Sequence, residues 1–93
     1  MSKLFISDDG TVIKWVNEVT GAEWAAGAPT LAEWQRLWRG NQTADSLARG
    51  IFRWVDGIDE KEVIVVFSPY GGLDFNLTYS AADGELTRIT EAR

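Results

Sequence analysis

The residues of this chain able to do chemistry are its carboxylates, with 14 Asp and Glu set against 9 Lys and Arg and neither histidine nor cysteine. Without those two residue types there is no thiolate nucleophile, no imidazole base, no triad built on either and no ordinary zinc site. Acid–base work would fall to carboxylates, lysine or tyrosine. The densest carboxylate group is Asp56, Asp59, Glu60 and Glu62, and a turn at residues 68–72 is expected to bring Asp74 near it. Paired carboxylates can act as general acid and base or hold Mg²⁺ or Ca²⁺. Their spacing does not match an EF-hand loop, and a charged loop ordinarily just keeps a surface solvated. The expectation is a protein that is not an enzyme and holds no metal and no cofactor.

A second set of candidates is basic. Arg36, Arg39, Arg49 and Arg53 are interleaved with Trp34, Trp38 and Trp54. Arginine beside tryptophan is a composition favoured in protein-binding hot spots, although the plain reading is that these arginines solvate helical faces. The net charge is −5 with a pI near 4.5, so phosphate backbones and anionic membranes are repelled and no direct nucleic-acid or membrane partner is expected. Residues 1–4 lack the apolar run of a signal peptide, and no segment approaches the ~20 apolar residues of a membrane span. A cytoplasmic location is the resulting expectation.

The elements that must position these residues can be read from punctuation and period. At 93 residues and 45% hydrophobic, the chain is expected to form one domain, 1–93, whose stability comes from large side chains because no disulfide is possible. Residues 3–7 and 11–16 flank Asp8-Asp9-Gly10 and predict a hairpin with Ile6 opposite Ile13 and Leu4 opposite Trp15. Phe5, Val12 and Val16 then fall on the other face. Whether residues 17–27 form a third strand or an ordered loop is open at this level. Thr30 and Glu33 form a capping box for a helix carrying Leu31, Trp34, Leu37 and Trp38, stopped by Gly40. Thr43 predicts a second cap. Leu47, Ile51, Trp54 and Val55 follow at i, i+4, i+7 and i+8, so the second helix is expected to run until just before Gly57 and pair with the first as an antiparallel hairpin.

Beyond the acidic loop the period changes. Residues 63–67 are a continuous β-branched run ending in Phe67, as in a central strand. Leu73, Phe75, Leu77 and Tyr79 alternate with polar residues, and Asp83-Gly84 predicts a closing hairpin. The fold class expected is α+β, a two-layer sandwich of an antiparallel sheet of about five strands packed on a helical hairpin, in the order ββ(β)ααβββ. Phe5, Val12, Val16 and one side of residues 63–67 would leave an apolar surplus on the far sheet face. That surplus is either covered by Trp24 and residues 17–27 or is an interface.

Other motifs weigh less. Tyr79, Asp83-Gly84 and residues 86–90 resemble a single YD-type repeat of large secreted toxin shells, which implies stacked copies; the chain has one copy, and a plain hairpin accounts for it. Asn41-Gln42-Thr43 and Asn76-Leu77-Thr78 match the glycosylation sequon, and Gly71-Gly72 reads as a turn because no lysine follows it. In size, acidity and lack of catalytic residues the chain is similar in character to immunity proteins and to phage anti-defence proteins such as anti-CRISPRs. That likeness implies a small acidic inhibitor that blocks another protein, a nucleic-acid-binding enzyme or complex among the candidates, through Asp56, Asp59, Glu60, Glu62 and Asp74 together with Arg36, Arg39, Arg49 and Arg53. A self-assembling homodimer is the alternative, and a carboxylate-dependent enzyme or metal binder the third reading.

Overall fold

The computed structural model describes residues 1–92 and is α+β. Its first three strands, β1 (Ser2–Ile6), β2 (Ile13–Asn17) and β3 (Glu23–Ala26), form one antiparallel sheet in the order β1-β2-β3. Two short helices follow, α1 (Leu31–Leu37) and α2 (Ala44–Ala48). The chain closes with a second antiparallel sheet, β4 (Ile51–Ile58), β5 (Glu62–Ser68), β6 (Phe75–Ser80) and β7 (Leu86–Glu91), in the order β4-β5-β6-β7. A single sheet of about five strands is therefore replaced by two sheets, of three and four strands.

The first hairpin has the expected register, with Leu4 opposite Trp15 and Ile6 opposite Ile13. Gly10 takes a φ of 74°, and Asp9 accepts hydrogen bonds from Ser7 Oγ, Thr11 N and Thr11 Oγ1, so one carboxylate organises the turn. Residues 23–26 do form a third strand, and it turns Trp24 towards the core. Trp24 stacks on Trp15 at 5.9 Å and on Tyr79 at 5.8 Å, and its Nε1 donates to the Ala81 carbonyl. Trp24 therefore does not cover the outer face of this sheet, where Phe5 and Val12 stay exposed. Lys3 and Lys14 lie among them and pair with Glu18 and Glu23, which breaks up the apolar surplus.

The Thr30 and Glu33 capping box is present in both directions. The helix ends at Leu37, earlier than its apolar spacing suggests, and Trp38 becomes an extended cap. Trp34 is fully buried, with its ring edge-on to Phe75 at 5.0 Å and tilted against Phe67 at 6.2 Å. Trp38 meets Phe75 at 5.3 Å. The helix thus seals the inner face of the four-stranded sheet, where Val65, Phe67, Leu77, Tyr79, Leu86 and Ile89 join Ile13 and Leu47 in one core.

The second helix is the main departure from the sequence reading. Thr43 caps it as expected, but it spans five residues, and residues 51–58 are strand, so Ile51, Trp54 and Val55 do not continue a helical stripe with Leu47. No long helical hairpin forms. The reason lies at Gly50, where a Cβ would sit 2.4 Å from the Phe67 ring and 2.9 Å from the Ser68 carbonyl oxygen. The backbone passes hard against β5 at that point and continues along it as a paired strand. Pairing sets Phe52 opposite Phe67 with ring centroids 5.0 Å apart and leaves Phe52 2% exposed, whereas a helix would have put it off the apolar stripe. The β-branched and aromatic run after Gly50 favours the same outcome.

Two substitutions test this packing by denaturant unfolding. Trp34→Ala should cost about 3–5 kcal/mol, the range for removing a buried tryptophan. Gly50→Ala should cost about 1–3 kcal/mol by overpacking despite the better helix propensity of alanine. An unchanged midpoint for Gly50→Ala would show that α2 can extend through residue 50.

Candidate functional site

β4 carries two register irregularities against β5, one at Arg53 and one at Asp56. Each bulge adds a residue with no partner across the ladder and twists the strand locally. As a result Arg53, Trp54, Val55 and Asp56 are all exposed, four consecutive positions in the middle of a strand. Trp54 lies opposite Val66, on the sheet face away from the core, and is 54% exposed. The other four tryptophans are buried or half-buried.

Beside Trp54 stands a polar chain. Arg53 Nε donates to Ser68 Oγ at 3.1 Å, and the Ser68 hydroxyl donates to Asp74 Oδ1. Ser68 is buried, so the hydroxyl acts as a fixed spacer between a guanidinium and a carboxylate. It is poorly placed as a nucleophile, because the arginine N–H occupies a lone pair of its oxygen. Next along the surface is the β5–β6 turn. Tyr70 N donates to the Ser46 carbonyl and Ser46 Oγ donates to the Tyr70 carbonyl, which ties the turn to α2. The Arg49 guanidinium lies 3.6 Å from the Tyr70 ring centroid and also pairs with Asp45 at 3.3 Å. Tyr70 is 58% and Leu73 68% exposed. Leu73 belongs to the turn and does not share the buried alternation of Phe75, Leu77 and Tyr79. Arg53 and Trp54 follow Ile51 and Phe52 along β4, and the partners of those two residues, Ser68 and Phe67, lead into the turn that carries Tyr70, with Arg49 over its ring, and Leu73. A shallow groove of about 350 Å³ adjoins this part of β4, lined in part by Asp8, Ile51, Phe52 and Arg53.

The acidic residues lie at the other end of β4 and β5. Asp59 Oδ1 accepts from Lys61 N at 2.7 Å and Glu62 N at 2.9 Å, so its carboxylate shapes the β4–β5 turn. Those backbone donors, Glu62 first, hold its carboxyl below the usual 3.8. Glu62 pairs with Arg88 at 3.6 Å, while Asp56 and Glu60 are exposed and belong to none of the ion pairs among the described residues. Asp74 is not among them. It lies beyond Ser68, the length of β5 away, which is roughly 20 Å at ~3.3 Å per residue. The expected meeting of Asp74 with Asp59 and Glu62 therefore does not occur, and no group of three carboxylates able to hold a metal ion exists among the described residues.

The basic candidates also divide. Arg36 on α1 donates to the Leu86 carbonyl at 3.2 Å and is committed to packing α1 on β7. Arg39 is exposed beyond α1, Arg49 caps α2, and Arg53 belongs to a strand rather than to a helix. Reading the sequence placed Trp54 on a buried helical stripe and Leu73 in the buried alternation of the following strand, and passed over Tyr70. The available signal was the run Ile51-Phe52-Arg53-Trp54-Val55 bounded by Gly50 and Gly57, which fits a strand as well as a helix. No family model, curated protein or solved structure matches the chain.

Asp9 and Asp59 both titrate below the ordinary aspartate value because hydrogen bonds favour the charged form, from Thr11 first in one case and Glu62 N first in the other. A carboxyl depressed in the folded state stabilises it above the unfolded pKa and loses that contribution as pH falls through the folded one. Carboxyl titration by NMR should give both groups midpoints below 3.8, with the amides of Thr11, Lys61 and Glu62 losing protection in the same window. Ordinary midpoints would remove these turns as acid-sensitive elements.

Proposed function

We propose that this is a small non-enzymatic binding protein that acts by occupying the surface of another protein. The observation that supports the reading best is Trp54, held out to solvent by a bulged strand in a chain that buries or half-buries its other tryptophans. An exposed tryptophan costs solubility and adds nothing to the core. Arg53 beside it, and Tyr70 with Arg49 above its ring on the β5–β6 turn, are of the residue types enriched in binding hot spots. The polar groups among them are already oriented by Ser68 and Ser46, which lowers the entropy of ordering them on contact.

Electrostatics refines the proposal. The chain carries net charge −5, and Asp56 and Glu60, towards the β4–β5 turn, are in none of the ion pairs among the described residues. A partner with a basic surface would be steered towards that end while Trp54 supplies the anchor. Occupation of a basic, nucleic-acid-binding surface would make the protein an inhibitor of the immunity or anti-defence kind, cytoplasmic like its target. Catalysis has no support in the geometry, since the carboxylates do not converge and the buried hydroxyl of Ser68 is held between Arg53 and Asp74.

The test places a photo-crosslinking amino acid at position 54, with exposed position 32 on α1, across the four-stranded sheet, as control, in extract of the source cell. A discrete adduct from position 54 alone is expected. It should be lost in competition with the unlabelled protein but not with its Trp54→Ala variant, whose unfolding midpoint should stay within about 0.5 kcal/mol of the parent. Reversing Asp56 and Glu60 should then slow association with the identified partner with little effect on its dissociation. Equal labelling from both positions, or full competition by Trp54→Ala, would overturn the proposal.

A further inference from the structure

Aspartate is followed by glycine at Asp9-Gly10, Asp56-Gly57 and Asp83-Gly84. Such a pair is reactive within itself, because a glycine without a Cβ lets its amide nitrogen reach the carboxyl carbon of the side chain before it. The fold restrains two of the three. Asp9 Oδ1 accepts from Ser7 Oγ, Thr11 N and Thr11 Oγ1, Gly10 N donates to the Ser7 carbonyl at 2.9 Å, and a Cβ on Gly10 would lie 3.0 Å from Ile51 Cβ. Asp83 Oδ1 accepts from Glu85 N at 2.9 Å, Gly84 N donates to the Ser80 carbonyl at 2.8 Å, and a Cβ on Gly84 would lie 2.7 Å from the Trp24 ring. At both turns the carboxylate and the amide that would have to meet are each held elsewhere.

Asp56 is exposed, and its carboxylate is in none of the hydrogen bonds or ion pairs among the described residues. It is the extra residue of the second bulge, with Val55 opposite Val65 and Gly57 opposite Ile64, so no partner across the ladder fixes it. Beyond its chain neighbours, a Cβ at Gly57 would meet nothing nearer than Ile64 Cδ1 at 3.8 Å. Only the Ile58 and Val63 pair separates Gly57 from the β4–β5 turn, so fraying of the hairpin end releases the peptide without opening the core sheet. We propose that Asp56-Gly57 is a site of spontaneous covalent modification, isomerisation of Asp56 to isoaspartate, and that the fold spares the other two pairs. The Gly57 nitrogen attacks Asp56 Cγ; the Cγ–N bond forms, a Cγ–O bond breaks, and the hydroxyl of the protonated carboxyl leaves as water with the amide proton. The cyclic imide then takes water back. Addition at Cγ restores aspartate, whereas addition at the backbone carbonyl carbon of residue 56 breaks its bond to the Gly57 nitrogen and leaves a free α-carboxylate. The main chain now runs through Cβ and Cγ, so β4 gains one backbone atom close to Trp54 at unchanged mass.

Ageing the purified protein in neutral buffer tests this, because trypsin places the three pairs in separate peptides, 4–14, 54–61 and 62–88. Isoaspartate, read by electron-transfer fragmentation and by labelling with an isoaspartate-specific carboxyl methyltransferase, should accumulate in peptide 54–61 of the folded protein while 4–14 and 62–88 stay nearly unchanged. In denaturant all three should convert at comparable rates, since each aspartate then precedes an unrestrained glycine. Asp56→Glu, which would have to close a larger and slower-forming ring, should remove the signal from 54–61 and so separate Asp56 from Asp59 in the same peptide. Conversion at 4–14 or 62–88 as fast as at 54–61 in the folded protein, a signal that survives Asp56→Glu, or no conversion at 54–61 while the denatured chain converts would each overturn the proposal. None of these readouts requires a binding partner, so this proposal and the binding one fail separately.

Discussion

The close approach of Gly50 to Phe67 is the constraint from which the rest of the molecule follows. A Cβ at residue 50 would lie inside the contact distance of both the Phe67 ring and the Ser68 carbonyl, so the chain leaving α2 is pressed on β5 and must continue along it. Phe67 is gripped on its other sides by Phe52 at 5.0 Å and Trp34 at 6.2 Å. That ring joins strand, helix and glycine turn in one contact. Once β4 is paired with β5, Phe52 enters the core opposite Phe67, and the extra residue at Arg53 breaks the alternation so that Trp54, opposite Val66, faces the other way. The exposed tryptophan is therefore a consequence of the bulge that follows the core contact.

Much of the fold was legible because short-range chemistry and long-range packing agree. Asp9-Gly10, the Thr30 and Glu33 box, the Thr43 cap, the buried run of β5 and the turn at Asp83-Gly84 each have a local signal that tertiary structure reinforces. Residues 50–58 are where the two levels compete. Their apolar residues fit a helical face continuing from Leu47, while their β-branched and aromatic types fit a strand. Nothing within that window decides between them, since the deciding contact is with Phe67, 17 positions beyond Gly50. The candidate site inherited the same error. Trp54 was assigned to the core as part of that helix, Leu73 was drawn into the strand alternation although the strand starts at Phe75, and Tyr70 gave no local reason to be singled out. The named charges fared unevenly for a similar reason: proximity in sequence grouped Asp56, Asp59, Glu60 and Glu62 correctly at one hairpin, but placing Asp74 depended on which end of β5 the turn closes.

The two bulges convert an edge strand that would be hazardous into one that is selective. A flat edge of eight residues invites indiscriminate pairing with any other strand. The extra residues Arg53 and Asp56 break the ladder, twist the strand and place a charge at each irregularity, so β4 is a poor template for indiscriminate pairing while Trp54 stays exposed on one face. In the proposed binding reading, hydrophobic burial of Trp54 would supply affinity and the charges would discriminate among surfaces.

This division also explains why the polar groups near Trp54 are organised as they are. A guanidinium free to move would lose several rotatable bonds on contact, and an isolated one would be costly to desolvate. Arg53 is already held by Ser68, and Ser68 by Asp74, so the cation enters an interface partly ordered and with a carboxylate behind a neutral hydroxyl to offset its charge. Arg49 is similarly steadied over Tyr70. The acidic end is ordered differently: Asp59 spends its hydrogen bonds on the turn, leaving Asp56 and Glu60 as the charges able to act outside the molecule. In the proposed binding reading, the charges available to a partner are those left over after the turns and caps are satisfied, Asp56 and Glu60 among them.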